Sequence, residues 1–299
     1  MSETPKKDTR KGLLFALGAY GIWGSFPLLI HSLDFASPYE VVGWRIVFGL
    51  ALAIVMLTVS RAWTGLWQVV RNPKLFWLLA LCSALIYVNW LVYVLGVSSG
   101  HIIESSLGYF INPLVTVVLA VFFQREKLTK FQWVAVALGA LAVAVLTVDY
   151  GHIPMIALTL AISFGFYGLV KSRTGGTVTP LIGYSVETAM LIPLSGVQLV
   201  LVDQWVGLKF GTDGFYSWFG LALFGFLTAI PLILFGSAAK HLPLAWVGFM
   251  QYLTPSIQFV LALTVFHEPM PLARWLGFGI VWLGLATLMA PMLFKRRTA

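Results

Sequence analysis

Cysteine and charge are both scarce in this chain of 299 residues, and each scarcity excludes a class of protein. The single cysteine, Cys82, lies inside an apolar stretch, so no intrachain disulfide can form and we interpret it as a small buried hydrophobe. Charged residues make up 10% of the chain and hydrophobic residues 59%, and the mean hydropathy is +0.90. This balance leaves too little polar surface for a soluble domain and indicates a polytopic membrane protein.

The sequence also lacks the motifs of common pump and enzyme chemistries. It has no G-x-x-x-x-G-K-[ST] loop, so no nucleotide-binding domain in this chain can drive transport with ATP. It has no H-E-x-x-H run and no paired-cysteine spacing, so we predict no metal site and no cofactor. The acidic residues within the apolar stretches are isolated, whereas a membrane-embedded hydrolase needs paired carboxylates. We therefore expect that the protein is not an enzyme.

Long apolar stretches make up most of the chain. A helix that crosses a bilayer needs about 20 predominantly apolar residues. Stretches of this kind occupy residues 12–31, 39–59, 75–97, 102–123, 131–148, 153–170, 180–201, 215–238, 244–266 and 273–294. The first has no small-residue cleavage site and leads into a polar kink at Trp23-Gly24-Ser25, so we interpret it as a retained span. The sequence thus predicts an all-α polytopic membrane protein with ten transmembrane helices.

The positive charges fall on alternate loops. Sixteen of the nineteen Lys and Arg residues lie before the first stretch, after the last one or in the loops after even-numbered ones, the other three being Arg45, Lys209 and Arg274. Because short positive loops stay in the cytoplasm, we predict that both termini are cytoplasmic. The net charge of +8 then reflects topology and contact with anionic lipids. Since the cations are dispersed over separate loops, we expect no nucleic-acid binding.

The two halves of the sequence resemble each other at an offset of about 141 residues. The matched positions are Pro113 with Pro255, Glu126 with Glu268, Trp133 with Trp275 and Ser37-Pro38 with Thr179-Pro180. Each half, 1–150 and 151–299, is then a five-helix unit, and an odd number of spans inserts the second copy upside down. Inverted repeats are typical of secondary transporters that work by alternating access, although duplication also produced some channels.

Four segments carry a resemblance to a known family. They are KGLLFALGAYGIWGSFPLL at 11–29, NWLVYVLGVSSGHIIESSLGYFINPLV at 89–115, LAISFGFYGLVKS at 160–172 and WVGFMQYLTPSIQFVLA at 246–262. Over nearly its whole length the chain resembles the EamA branch of the drug/metabolite transporter superfamily. The resemblance implies two inverted five-helix halves, with helices one, three, four, six, eight and nine around a central cavity, in the bacterial inner membrane. The resemblance indicates the class of transport mechanism but does not identify the transported solute.

Polar residues and prolines inside the apolar stretches predict where a solute binds. Pro113 and Pro255 lie near the middle of stretches four and nine. A proline there frees a backbone carbonyl that side chains, water or a ligand must satisfy; a kink without a ligand role is the alternative. The predicted substrate-binding residues around these breaks are Trp23, Asn89, Trp90, Tyr93, Asn112, Tyr167, Gln251, Tyr252 and Gln258. With few fixed charges, this lining favours a small neutral or zwitterionic organic solute.

Ionisable residues within or beside the stretches are predicted coupling or gating residues, because an intramembrane charge costs about 2.5 to 3.5 kcal/mol on insertion scales. They are Arg45, His101, Glu104 and Glu187. Arg45 and Glu104 match in depth, which permits an ion pair for coupling or a structural tie between helices. His101 and Glu104 stand at i and i+3, as either a proton-handling pair or a helix-start arrangement. Glu126 and Glu268 are interpreted as solvated flanks.

These features predict a secondary, gradient-driven transporter of small neutral or zwitterionic metabolites or drugs. A passive facilitator or channel and a lipid flippase are the alternatives. Saturable counterflow would separate transport from a channel, and a lateral opening with lipid-dependent activity would indicate a flippase. The predicted partners are the small-molecule substrate, membrane lipids and, as the candidate coupling ion, protons. The protein is expected to be a monomer or a weak homodimer.

Overall fold

A computed structural model of the chain describes residues 9–125, 128–174, 178–212, 214–242 and 250–294. Within these ranges the chain forms a bundle of twelve helices. They are α1 (Thr9–Gly24), α2 (Phe26–His31), α3 (Pro38–Val59), α4 (Trp63–Val70), α5 (Pro73–Ser98), α6 (Ile102–Gln124), α7 (Lys130–Tyr150), α8 (Met155–Ser172), α9 (Pro180–Trp205), α10 (Phe215–His241), α11 (Leu253–Thr264) and α12 (Leu272–Phe294).

Nine segments of the described ranges are long and apolar enough to cross a membrane: α1 together with α2, and then α3, α5, α6, α7, α8, α9, α10 and α12. They confirm nine of the ten predicted spans. The tenth prediction, 244–266, begins outside the described residues, and its described part contains the shorter apolar helix α11. Large apolar side chains such as Trp77, Val148 and Leu272 are exposed on the bundle, as a lipid-facing surface requires.

Short sequence signals set several helix ends. Ser37 and Thr179 each accept a hydrogen bond from the backbone N–H three residues later, at 3.1 and 3.4 Å, and each is followed by a proline that begins the helix. Proline is favoured there because the first helical N–H has no partner within the helix. The matched dipeptides of the two halves therefore start α3 and α9 in the same way.

The predicted kink in the first span is confirmed. Helix α1 ends at Gly24, and α2 begins at Phe26. A β-carbon on Gly24 would lie 2.8 Å from Cβ of Ile257, so glycine allows α1 to approach α11 closely at this break. The Ser25 hydroxyl donates to the carbonyl of Ile22 at 2.9 Å, which satisfies the hydroxyl inside the bundle.

Helices from the two halves of the chain pack extensively against each other. α7 packs on α12, α6 on α8, α1 on α10, α3 on α9, α5 on α8, α10 on α3, α6 on α11 and α1 on α11. The backbones of α6 and α8 approach each other closely at Gly108. A β-carbon on this glycine would lie 2.7 Å from the carbonyl oxygen of Ala157. The first half is thus joined to the second along most of its length.

The bundle has two ends that differ in charge. We call the end with the junctions that follow α2, α5, α7, α9 and α11 the acidic end, and the end with the junctions that follow α3, α6, α8 and α10 the basic end. The acidic end takes in Glu40, Glu104, Asp149 and Glu268, whereas the basic end takes in most of the lysines and arginines.

Candidate functional site

A cavity of about 500 Å³ lies toward the basic end, between α6, α7, α11 and α12. Hydrogen-bonding side chains in its wall are uncharged and belong to Asn112, Thr116, Thr129, Gln132 and Gln251. Two of them, Asn112 and Gln251, are predicted substrate-binding residues. The Asn112 Oδ1 atom is buried without a hydrogen-bond partner, so a donor on a bound solute would satisfy it. This lining differs from the helix set that the family resemblance implies, because α7 and α12 contribute to it.

A second group of predicted residues forms a hydrogen-bonded belt across the middle of the bundle. The amide nitrogen of Asn89, on α5, donates to the Leu160 carbonyl and to the Ser163 hydroxyl on α8, both at 3.1 Å. The Tyr109 hydroxyl, on α6, donates to the Asn89 carbonyl oxygen at 3.2 Å. Asn89 is only 2% exposed, so these bonds satisfy a polar group that the interior would otherwise penalise.

The belt continues to α11 and α1 through Gln258. Its amide nitrogen donates to the Tyr93 hydroxyl at 2.9 Å and to the backbone carbonyl of Trp23 at 3.3 Å, whereas its Oε1 atom is buried without a partner. The rings of Tyr93 and Tyr109 meet edge to face at 5.7 Å between centroids. The structure thus brings the predicted residues Trp23, Asn89, Tyr93 and Gln258 together, and their role in solute binding stays a prediction.

Three further predicted residues lie around this belt and the cavity. Trp90 contacts Arg45, with the guanidinium carbon 4.2 Å from its ring centroid. Tyr252 precedes α11 and stacks on Phe110 at 6.4 Å. Tyr167, on α8, donates to the carboxylate of Glu187 at 3.1 Å, which places it with a charged group.

Glu187 belongs to a buried ion pair in the basic half of the bundle. The Lys171 ammonium donates to its carboxylate, and Tyr167 donates to its other oxygen. The side chain of Glu187 is 5% exposed and that of Lys171 is 26% exposed. The pair therefore joins α8 to α9, and removing one partner would leave a buried charge.

The expected ion pair between Arg45 and Glu104 is not formed. The Glu104 carboxylate instead accepts the backbone N–H groups of Ile156 and Ala157 at 2.9 and 3.3 Å. These N–H groups belong to the first turn of α8, where a helix has no internal acceptors and its dipole favours a negative charge. This competing acceptor role explains why Glu104 does not pair with Arg45.

Of the two alternatives for His101 and Glu104 the helix-start arrangement fits, since His101 precedes α6 and Glu104 lies in its first turn, whereas Glu268 differs from expectation. His101 is exposed, and its Nδ1 atom lies 3.1 Å from the Ser99 hydroxyl, so the histidine does not join Glu104 in a pair. Glu268, interpreted as a solvated flank, accepts the N–H groups of Ile102 and Ile103 at 2.6 and 2.9 Å. The flank interpretation is wrong for Glu268, because the open first turn of α6 binds its carboxylate. The matched residue Glu126 lies outside the described residues.

The environment of Glu268 has opposing effects on its ionisation. Burial raises the pKa of its carboxyl, while the hydrogen bonds from Ile103 and Ile102 act to lower it, and burial dominates. Glu268 and Glu104 border a smaller cavity of about 220 Å³ at the acidic end, together with His101, Tyr150 and Arg274.

A third carboxylate contact at the acidic end was not predicted. Glu40, fully buried in the first turn of α3, accepts the backbone N–H groups of Lys209 and Phe210 at 2.8 to 3.0 Å. Its position three residues after Ser37 matches a helix-capping pattern, which was the available signal. The pattern does not reveal a partner about 170 residues away.

The two matched prolines occupy different positions in their helices. Pro113 lies inside α6, as predicted, whereas Pro255 lies in the first turn of α11, directly after the turn at Gln251 and Tyr252 that follows the helical residue Met250. Two other prolines, Pro193 and Pro231, lie inside α9 and α10. The candidate cavity borders both positions, because Pro113 and Gln251 line it.

Across the described ranges, no group of three or more His, Cys, Asp and Glu side chains is placed to hold a metal ion. The hydrogen-bonding groups of the cavity and the belt are amides, hydroxyls and backbone carbonyls. Such groups can orient a polar organic molecule through its donors and acceptors.

Comparison with known proteins places these features in a family context. Residues 10–148 match the profile of the EamA-like transporter family. A protein of Streptomyces exfoliatus named Protein RarD is 41% identical over 290 residues, covering 95% of this chain and 89% of that protein. Protein RarD of Escherichia coli (strain K12) is 34% identical over 291 residues, covering 97% of this chain and 98% of that protein.

Two further similarities agree with this result. A Vibrio cholerae protein described as an uncharacterized transporter is 35% identical over 283 residues, covering 94% of this chain and 93% of that protein. A solved crystal structure superposes on the chain with a TM-score of 0.60 at 17% identity, covering 96% of this chain and 99% of the other. At this identity the superposition supports the fold alone.

Proposed function

Because the chain belongs to the RarD family of EamA-like transporters, we propose that it is a secondary transporter that moves small neutral or zwitterionic organic solutes by alternating access. The energy would come from an ion or solute gradient, with protons as the candidate coupling ion. A passive facilitator and a lipid flippase are the alternatives that the experiment below separates.

One observation carries the proposal: the cavity lies toward one end of the bundle, and the hydrogen bonds from carboxylates to backbone N–H groups lie at the other end. The uncharged cavity of about 500 Å³ lies toward the basic end. At the acidic end, Glu40, Glu104 and Glu268 each bind backbone N–H groups of another element. A solute site toward one end, with hydrogen-bonded contacts at the other, is what one state of an alternating-access cycle would look like, and this supports the proposal.

The packing pattern supports two five-helix repeats, 1–150 and 151–299. If each span is exchanged for the one five positions along, the α6–α8 contact becomes α11–α1, the α1–α10 contact becomes α8–α5, and the α3–α10 contact becomes α9–α5. All of these contacts occur, and α7–α12, α3–α9 and α6–α11 each exchange into themselves. We infer that the halves are inverted copies, because each has five spans.

We propose that the basic end faces the cytoplasm of a bacterial cell and that the acidic end faces outward across the inner membrane. The support is the distribution of Lys and Arg, sixteen of nineteen of which fall on the side of the basic end. The partners would then be the solute, membrane lipids and protons, with the protein acting as a monomer or weak homodimer.

Counterflow in liposomes tests the proposal. Purified protein would be screened for thermal stabilisation by metabolites, and each hit would be assayed for saturable exchange with and without a pH gradient. We expect saturable counterflow and faster uptake under the gradient. Flux without saturation would indicate a channel, and lipid-dependent transfer of labelled phospholipid would indicate a flippase.

A matched pair of threonines tests the cavity itself. Thr116 lines the cavity and Thr287 is half-buried on α12 outside the cavity lining, and each donates its hydroxyl to a carbonyl four residues earlier, at 3.0 and 2.8 Å. Thr116→Val should raise the solute Kd several-fold, whereas Thr287→Val should leave it unchanged. Equal affinities in both variants would place the solute elsewhere.

A further inference from the structure

Arg45 is a buried cation without an anion among the described residues. It is 4% exposed, and its Nε and Nη1 atoms are buried without hydrogen-bond partners in the part of the chain that the structure describes. Within the described ranges, no ion pair includes Arg45, and the carboxylate expected beside it, Glu104, binds the start of α8. A guanidinium stays protonated at neutral pH, so Arg45 cannot avoid the cost of burial by losing its proton.

Aromatic rings surround the guanidinium and stabilise its charge, but they do not accept hydrogen bonds from its N–H groups as oxygen atoms would. Its carbon lies 4.2 Å from the ring centroid of Trp90, 5.2 Å from that of Phe224 and 5.6 Å from that of Phe26. A ring face attracts a cation through its quadrupole, but it does not replace an oxygen acceptor for an N–H group. The surroundings thus hold the charge in the bundle and leave N–H donors unused.

We propose that Arg45 binds a carboxylate of the transported solute. The inference rests on the proposed function and narrows its solute class to members that carry a carboxylate. Carboxylates and phosphates both offer the charge and paired oxygens that fit a guanidinium, and of the two the carboxylate is the one that a small zwitterionic solute such as an amino acid carries. The site lies where α2, α3, α5 and α10 meet, and its Trp90 directly follows the belt residue Asn89 in the chain.

An unused acceptor in the belt gives the solute a second contact. Gln258 donates its amide nitrogen to the backbone carbonyl of Trp23, which can only accept, so this bond fixes the orientation of the amide. The Oε1 atom of Gln258 is then left buried without a donor. A solute with a carboxylate and an N–H or O–H donor would complement Arg45 and Gln258 together.

The first test measures the empty protein. If the charge of Arg45 is unpaired in the ligand-free protein, an apolar side chain of similar size should stabilise that state. Arg45→Met should therefore raise Tm by about 2–8 °C in detergent. Arg274, which pairs with Asp149 at 3.0 Å, is the matched control, and Arg274→Met should lower Tm. A lower Tm for Arg45→Met, or failure to fold, would show that Arg45 stabilises the empty protein and would overturn the proposal.

The second test measures ligand class by thermal shift and by uptake into liposomes. The probes are the zwitterions leucine, phenylalanine and glutamine, each beside its carboxamide. We expect at least one acid, and no carboxamide, to stabilise the parent, with affinity reduced at least about 30-fold in Arg45→Met and less in Arg45→Lys. Carboxamides that bind the parent as well as the acids do would overturn the carboxylate assignment while leaving transport intact.

The two tests separate the inference from the proposed function. If no probe is transported by the parent, the result counts against the proposed function, and Tm of Arg45→Met still decides whether Arg45 is a stabilising residue of the empty protein. If a probe is transported equally by parent and Arg45→Met, transport stands and the inference is overturned.

Discussion

The acidic and basic ends of the bundle neutralise buried carboxylates in different ways. At the acidic end, Glu104 and Glu268 bind backbone N–H groups at the starts of helices, and Glu40 binds those of a loop. In the basic half, Glu187 pairs with the ammonium of Lys171. Backbone N–H groups are fixed in the fold, whereas a lysine side chain has rotatable bonds, so the acidic end is held by the more rigid contacts.

Removing Lys171 should produce the largest effect on stability. Lys171→Met leaves Glu187 buried with only Tyr167 as a donor, and we expect the free energy of unfolding to fall by about 2–3 kcal/mol. Denaturation in detergent, followed by circular dichroism, measures this change. The double variant Lys171→Met/Glu187→Gln should recover most of the loss, and a double variant as unstable as the single one would show that packing, not charge, is at stake.

Removing the Glu104 carboxylate should be the next largest change. Glu104→Ala leaves the N–H groups of Ile156 and Ala157 without acceptors, which should cost about 2 kcal/mol, and Glu104→Gln should cost less because one oxygen remains. A cysteine at the buried position Ser106, in a Cys82→Ser background, reports whether the acidic end loosens. We expect faster thiol labelling in Glu104→Ala. Unchanged labelling would show that the Glu104 carboxylate does not hold α6 against the start of α8.

Glu268→Gln should reduce the free energy of unfolding by about 1 kcal/mol and should flatten its pH dependence. Burial raises the pKa of this carboxyl above its ordinary 4.5, so the folded protein binds the proton more tightly than the unfolded chain does. The contribution to stability is therefore present at low pH and is lost as the pH rises from 4.5 through the folded-state pKa. Parallel slopes of Tm against pH for parent and variant would exclude Glu268 as their source.

The smallest perturbation settles which end faces outward. Single cysteines at Ser99, on the acidic end, and Ser172, on the basic end, are placed at exposed positions in a Cys82→Ser background. Neither should affect stability. In intact cells an impermeant reagent should label Ser99→Cys alone, and labelling of Ser172→Cys instead would invert the proposed orientation.

The apolar pattern was sufficient for the spans, because a bilayer-length run of apolar residues has few alternatives to a helix. It also predicted that Asn89 and Gln258 lie inside the bundle, because they are too polar for lipid, and their burial confirms this, but it did not predict the hydrogen bonds that they make there. It could not assign Glu268, whose acceptor role depends on a helix start about 165 residues away. The Arg45–Glu104 pair failed for a related reason: matching depth does not exclude a competing helix end.

The Glu104 contact has a mechanical consequence for the whole bundle. The α6–α8 and α1–α11 interfaces correspond under exchange of the halves, yet the first is joined by an ionic contact from Glu104 and the second by neutral bonds from Gln258 and from Thr254 to the Tyr20 carbonyl at 3.1 Å. Two interfaces held by contacts of different strength should not separate equally easily during a conformational change. We therefore expect α6 and α8 to stay in contact while α1 slides on α11.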